Sequence, residues 1–517
     1  MLARAHTFTI EDLHTRHVTV EVDVRAGLPA FTIVGLADTA VREARERIQA
    51  AILNSGYEFP TRRITANLAP GDVRKAGPGL DLALACALLA ASGQLPREQL
   101  ERVALFGELA LDGVVRPSRG ALAVAHAARR AGMRALVLAP ACAREAMLID
   151  GLEVPAVEHL RSAVRVLSGG RGDRLRDDAA TGPGAAARMA SDEQLARGHA
   201  GDLSEVHGQH HAVEAIVIAA AGAHNLLLSG APGTGKTMLA QRISSILPAL
   251  SREEAIEVTR IHSLTGARVN ALAASRPFRA PHHSITGAGL VGGASRGSIG
   301  EIVLAHNGVL FLDELSEFSR VTLEALRQPL EDGRVAIARA RHSAVYPARF
   351  VLVAATNPCP CGYAGEGERC SCSESERARQ RRRLSGPLLD RIDLLASLHL
   401  EAHDQRAPAL TSSAQARERV ACARERQTAR LEPEGVTVNA RMDGPMLARH
   451  VRLDERGERM LRGARAAGML SARGEHRVLR VARTVADLDA SERVRACDLG
   501  AALALRTEPS ASGNRAA

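Results

Sequence analysis

NLLLSGAPGTGKTMLAQRISSIL, residues 225–247, sets the reading of the rest of the chain. A short apolar run, Asn225–Ser229, stops at a glycine-rich turn, and a helix-patterned segment follows at once. The turn, Gly230-Ala231-Pro232-Gly233-Thr234-Gly235-Lys236-Thr237, satisfies the phosphate-loop pattern G-x-x-x-x-G-K-[ST] in full. Glycines let successive backbone N–H groups face a phosphate, and the helix N-terminus behind them adds a favourable dipole. Lys236 is placed to reach the β- and γ-phosphates of ATP, and Thr237 to ligate Mg2+. This strand–turn–helix unit predicts an α/β fold with a parallel sheet.

Downstream, Val309-Leu310-Phe311-Leu312 reads as a second strand and ends in Asp313-Glu314. Asp313 would hold Mg2+ through water, and Glu314 would polarise the attacking water as general base. Acidic residues end many strands; the P-loop upstream is what gives this pair its meaning. A third run, Phe350–Ala355, ends in Thr356-Asn357. If that strand lies between the other two, Asn357 sits beside the γ-phosphate; the alternative is an asparagine capping the turn before Pro358.

At 517 residues, the chain is too long for one ordinary core. Residues 1–168 alternate strand-like runs (VTVEVDV, FTIVGL, RITANLAP, ALVLAP) with helix-like ones, including the Ala/Leu-rich DLALACALLAASG. Residues 169–201 are poor in large apolar side chains and read as a flexible linker. Residues 202–395 form the nucleotide-binding core, 396–506 a helical lid, and 507–517 a disordered tail. Hydrophobic content of 46% with 24% charged residues fits a globular protein. No apolar run reaches the roughly 18 residues a membrane helix needs, and no export signal opens the chain, so residence in the cytoplasm without a membrane partner is expected. Aromatics make up 2% with no Trp, which argues against base-stacking platforms. The formal charge of +9 fits a polyanion bound through its phosphates, or an arginine-rich proteome bias.

Several stretches together resemble the ComM/YifB family of magnesium-chelatase-like AAA+ proteins. They include RPFRAPHHSITGAGLVGG (276–293), GEIVLAHNGVLFLDEL (300–315), LRQPLEDG (326–333) and NPCPCG (357–362). VGLADTAVREARERIQAAILNSG and ITANLAPGDVRKAGPGLDLALACALLAASG fit the same family. The resemblance implies a hexameric ATP-driven motor on branched or single-stranded DNA, reading no sequence, that promotes branch migration during integration of transforming DNA. It assigns sensor 1 to Asn357. SGPLLDRIDL (385–394) resembles an arginine-finger stretch, which implies that Arg391 enters the neighbouring subunit's ATP site. The alternative is a surface arginine paired with Asp390 or Asp393. SARGEHRVLRVARTVADL (471–488) reads as a helix beginning after Ser471, on which the resemblance makes Arg473 the sensor 2 arginine, with Arg477 and Arg480 as rivals. The class alternative is a chelatase-type chaperone that remodels a protein partner and never touches DNA.

The N-terminal domain resembles the α+β fold of Lon-protease and ribosomal S5 domain 2. Where Lon-type proteases carry a serine after Gly-Pro, this chain has Lys75-Ala76-Gly77-Pro78-Gly79, so the nucleophile position has no side chain. Residues 334–345 alternate apolar and basic side chains and predict a hairpin. By resemblance to pore hairpins of related rings, Arg339 and Arg341 contact DNA phosphate; the alternative is a solvated strand. Of eight cysteines, Cys359, Cys361, Cys370 and Cys372 cluster as C-x-C-x8-C-x-C. Four thiolates at this spacing can close a structural Zn2+ site with no open position. The basic run 377–383 behind it reads either as DNA contact or as a solvated helix face.

Overall fold

The computed structural model describes residues 1–11, 14–36, 39–72, 75, 77–173, 201–265, 271–293, 299–338, 343–366, 369–383, 386–400 and 411–506. The chain divides into two compact units: Met1–Met189 with Ala255–Ala273, and Ala190–Glu254 with Ala274–Ala517.

The first unit is built on a mixed six-stranded sheet. Its strands are β1 (Leu2–Glu11), β2 (His14–Arg25), β3 (Ala30–Val34), β4 (Arg63–Ala69), β5 (Val103–Phe106) and, after the short pair β6 (Glu108–Leu109) and β7 (Val115–Arg116), β8 (Ala135–Leu138). The order is β3-β4-β2-β1-β5-β8, with β2 antiparallel to both β1 and β4 and the remaining pairs parallel. Period-two patterning explains the central strands: Val18, Val20, Val22 and Val24 all point to the covered face of β2. The helix Asp81–Ala91 is buried at every position, as its Ala/Leu composition requires. Its one charge, Asp81, is met by Arg47 on the helix Thr39–Asn54, with Nε–Oδ2 at 3.0 Å and Nη2–Oδ1 at 3.2 Å.

Ala255–Ala273 lies inside the segment read from the sequence as the nucleotide-binding core, yet it packs with the first unit. Ile256 and Leu272 lie against the apolar cluster containing Phe8, Phe106 and Leu122. Ser263 donates a hydrogen bond to Glu145, whose carboxylate also accepts from the Leu122 N–H at 3.1 Å.

The second unit holds a five-stranded, all-parallel sheet. Its strands are β9 (Leu226–Gly230), β10 (Phe278–Arg279), β11 (Val309–Leu312), β14 (Val351–Thr356) and β15 (Leu394–Leu398), in the order β10-β11-β14-β9-β15. Leu226–Leu228, Val309–Leu312 and Val351–Thr356 are buried throughout, the near-continuous apolar runs expected where helices cover both faces. The boundary read at 395 falls within β15, whose five residues give a weak signal but pair in full with β9 from Leu394↔Leu226 to Leu398↔Gly230. Residues 334–347 form the antiparallel pair β12 (Arg334–Ala338) and β13 (Ser343–Pro347). Its tip, with Arg339 and Arg341, lies outside the described residues. Described residues from 411 onward are mostly helical, with one isolated parallel bridge, Leu453↔Val494, and Ser412 and Ser471 each cap a long helix, Ser413–Leu431 and Ala472–Leu488. No described helix is long and apolar enough to cross a membrane.

Candidate nucleotide site and cysteine cluster

Strand order assembles the nucleotide site. Because β14 lies between β9 and β11, the residues that end all three strands emerge at one edge of the sheet. Gly233 (φ 81°) and Gly235 (φ 87°) occupy left-handed conformations that turn the loop into the helix Lys236–Ile246. Gly230 answers a different demand: a Cβ there would stand 2.6 Å from the Leu398 carbonyl on β15.

Lys236 Nζ donates to the carbonyl oxygens of Gly230 (2.7 Å) and Ala231 (2.9 Å) and to Asn357 Oδ1 (3.1 Å). Burial lowers the Lys236 pKa, opposed by the carboxylates of Asp313 and Glu314. Thr237 Oγ1 donates to Asp313 Oδ2 at 2.6 Å, and Asp313 Oδ1 accepts from the Glu314 N–H at 2.9 Å. P-loop, acidic pair and strand-ending asparagine are thus one hydrogen-bonded set. A hydroxyl and a carboxylate side by side suit a hydrated Mg2+, and the adjoining lysine suits phosphate.

The arginines separate by environment. Arg391 donates to Glu331 Oε2 at 2.6 Å. That bond, with the nearby charges of Arg391, Arg473 and Arg327, holds the Glu331 carboxyl below its usual range. Arg473 is exposed in the first turn of its helix. Arg477 is 11% exposed, 3.9 Å from Asp393, and Arg480 donates to the Met442 carbonyl at 2.7 Å.

The four clustered cysteines converge: their sulfurs all lie within 4.8 Å of one another. Cys359–Cys361, Cys361–Cys370 and Cys359–Cys370 are separated by 3.3, 3.7 and 3.8 Å. Zn–S bonds of about 2.3 Å place tetrahedral sulfurs about 3.8 Å apart, so the set fits the ion. N–H groups also point at sulfur, as thiolates require: Ala364 on Cys359 (3.2 Å), Cys361 on Cys372 (3.4 Å) and Arg377 Nη2 on Cys370 (3.2 Å).

Three features escaped the sequence reading because each depends on tertiary approach. Asn225 links neighbouring strands: it accepts from Leu352 N–H (3.0 Å) and donates through Nδ2 to the Arg391 carbonyl (2.9 Å). Gly362, in the cysteine loop, comes so close to the P-loop that a Cβ would lie 2.5 Å from Pro232 Cδ. His283 Nδ1 lies 3.5 Å from Glu314 Oε2. The APHH stretch holding His283 was visible, but nothing in its spacing tied it to Glu314.

The first unit's Gly77-Pro78-Gly79 turn offers no nucleophile, and a Cβ on Gly79 would stand 2.5 Å from Phe106 Cε2. The place of a serine side chain is taken by a ring.

Comparison with known proteins agrees in scope. The family described as "Magnesium chelatase, subunit ChlI" matches residues 202–406, "Subunit ChlI of Mg-chelatase" residues 20–141, and "Magnesium chelatase, subunit ChlI C-terminal" residues 410–506. YifB of Escherichia coli (strain K12) is 42% identical over 495 residues, covering 95% of this chain and 94% of that protein. Competence protein ComM of Haemophilus influenzae is 40% identical over 495 residues, with the same coverage of each. A Lon protease of Chloroflexus aurantiacus is 33% identical over 129 residues, 23% of this chain and 15% of that enzyme. With similarity running along nearly the whole sequence, the chain belongs to the ComM/YifB family of magnesium-chelatase-like AAA+ proteins.

Proposed function

We propose that the protein is an ATP-hydrolysing DNA translocase that works as a homo-hexameric ring and drives branch migration of recombination intermediates. The observation that carries the ATPase reading is the joining of Lys236, Thr237, Asp313 and Asn357 in one hydrogen-bonded set. ATP phosphates take the place of the loop carbonyls as partners of Lys236, against the N–H groups of Gly233–Thr237. Thr237 and Asp313 hold Mg2+, which when bound neutralises charge across the β- and γ-phosphates. Asn357 orients the attacking water and Glu314 accepts its proton; the water oxygen bonds to the γ-phosphorus as the bond from that phosphorus to the ADP oxygen breaks, giving inorganic phosphate and ADP.

Arg391 acts as an arginine finger in the neighbouring subunit, which makes a ring necessary. Arg473 is the sensor 2 arginine: it is exposed, and its charge adds to that of Arg391 in lowering the Glu331 pKa, whereas Arg477 is largely buried near Asp393 and Arg480 donates to the Met442 carbonyl. Cys359, Cys361, Cys370 and Cys372 hold a structural Zn2+. A DNA substrate is supported by the relative named as a competence protein, since competence is the state in which cells take up DNA, and by the net charge of +9. Arg339 and Arg341 contact phosphates, giving the sequence-independent grip a motor needs.

The test is branch migration of a synthetic branched DNA by the purified protein, with Glu314→Gln as control. Migration that needs ATP and disappears in the variant supports the reading. ATP hydrolysis without DNA binding or stimulation transfers it to remodelling of a protein partner.

A further inference from the structure

We infer that His224 is a positioning residue that ties the helical C-terminal segment, read as a lid, to the stretch carrying Arg391. The inference rests on the reading of Arg391 as a finger acting in trans. His224 stands just before β9 and Asp393 just before β15, and parallel pairing of the two strands from Leu394↔Leu226 brings them together. Both side chains are buried, as are Thr484 and Asn439 of the lid. His224 Nε2 lies 2.7 Å from Thr484 Oγ1, and its Nδ1 faces Asp393 Oδ2 at 3.7 Å. Asn439 Nδ2 donates to the same hydroxyl at 3.0 Å. Only a hydrogen on Nδ1 avoids setting a lone pair against the carboxylate, so one imidazole joins a lid hydroxyl to a core carboxylate.

Each end of this bridge leads to an arginine. Thr484 lies on the helix Ala472–Leu488, which carries Arg473 about three turns nearer its start, roughly 16 Å along the axis. Asp393 is two residues beyond Arg391, and this stretch is pinned to the start of β9. The Asn225 N–H donates to Asp393 Oδ2 and the Asp393 N–H to the Asn225 carbonyl, both at 3.0 Å, while Asn225 Nδ2 donates to the Arg391 carbonyl at 2.9 Å. The lid helix adds a second hold through Arg477, 3.9 Å from Asp393 Oδ1. Burial raises the Asp393 pKa, but His224, the Asn225 N–H and the charge of Arg480 outweigh it and hold the carboxyl below its ordinary range. A buried charge of this kind moves only together with its partners. A lid helix that shifts when Arg473 meets nucleotide therefore draws Thr484, His224 and Asp393 with it, and re-aims Arg391 at the neighbouring ATP. The bridge reports the occupancy of one subunit's site to the next.

A fault in finger placement is a fault in trans, and that separates it from a merely structural loss. His224→Leu removes both ring nitrogens; Thr484→Val removes only the hydroxyl and keeps the shape of the side chain. The experiment is steady-state ATP hydrolysis by each full-length variant, alone and after mixing with Glu314→Gln protein, with affinity for a fluorescent ATP analogue titrated separately. Alone, both variants are expected to lose roughly tenfold in kcat at unchanged nucleotide affinity, a small part of what a finger supplies. The Glu314→Gln subunit lacks the base but offers a sound finger, so mixing should raise the rate severalfold above the sum of the two proteins measured apart. A structural loss stays in the subunit that carries it, and its mixture gives no more than that sum. Normal kcat in Thr484→Val overturns the inference. So does the absence of a rise with either variant when a control mixture of Arg391→Ala with Glu314→Gln does rise. A control mixture that fails to rise overturns the finger reading itself, so the two failures are told apart.

Discussion

Phe106 shows how one residue closes off a chemistry. Gly79 stands where the resemblance to Lon-type proteases puts the nucleophile, and a Cβ there meets the Phe106 ring at 2.5 Å. Gly79→Ser is therefore expected to create no peptidase and to destabilise the first unit by about 1–3 kcal/mol through overpacking. A fluorogenic peptide assay and thermal unfolding check both halves. Asp81 poses an electrostatic question in the same unit. Burial pushes its carboxyl up to about 6 despite the Arg47 hydrogen bonds and charge. A carboxyl whose folded pKa is raised binds its proton more tightly in the folded state than in the unfolded one. Its contribution to stability is thus largest below the ordinary value near 3.8 and is lost as pH rises toward 6. Arg47→Met removes the compensating charge and raises the folded pKa further. The variant should lose about 3–5 kcal/mol at neutral pH and measurably less near pH 5. Denaturant titrations at the two pH values measure the difference.

Among the elements, the cysteine loop has a mechanical consequence. It follows β14 directly, and Gly362 (φ 89°) abuts Pro232 of the P-loop. A β-branched residue at this position meets both a left-handed backbone and the Pro232 ring, with strain of about 1–3 kcal/mol. Gly362→Val should accordingly weaken ATP-analogue binding by roughly tenfold, at about 1.4 kcal/mol per decade. An unchanged affinity would show that the loop yields without moving the P-loop. The cluster itself is expected to hold one Zn2+ per chain, so elemental analysis well under one per chain would end the zinc reading. The β12–β13 pair is a well-defined ladder up to Ala338↔Ser343. Arg339→Ala at its tip should reduce stimulation of ATP hydrolysis by DNA and leave the DNA-free rate intact.

For the whole molecule, the decisive issue is whether sites are completed between subunits. Arg391 is engaged by Glu331 of its own chain, and a finger acting in trans must exchange that partner for a neighbour's phosphate. Mixing experiments isolate this. Arg391→Ala and Glu314→Gln are each expected to be nearly inactive alone. Random mixed rings would place an intact site beside an intact finger at about a quarter of interfaces. Hydrolysis should then reappear on mixing, and its failure to do so would count against a finger in trans.

The sequence by itself determined the pieces that depend on local pattern. The P-loop, the strands ending in Asp313-Glu314 and Asn357, the four-cysteine spacing and the helix beginning after Ser471 were all legible. Each is specified by residues within a few positions of one another, where φ/ψ demands, periodicity and hydrogen-bond supply act directly. Only the tertiary structure decided what is near what across the sheet. The strand order brings His283 to Glu314 and Asn225 to Leu352, and five-residue β15 gains its identity from pairing with β9. The same holds for Phe106 over Gly79, Gly362 against Pro232, and Ala255–Ala273 packed with the first unit. These contacts join residues far apart in the chain through burial and shape, and such interactions leave no periodic trace for a linear reading to find.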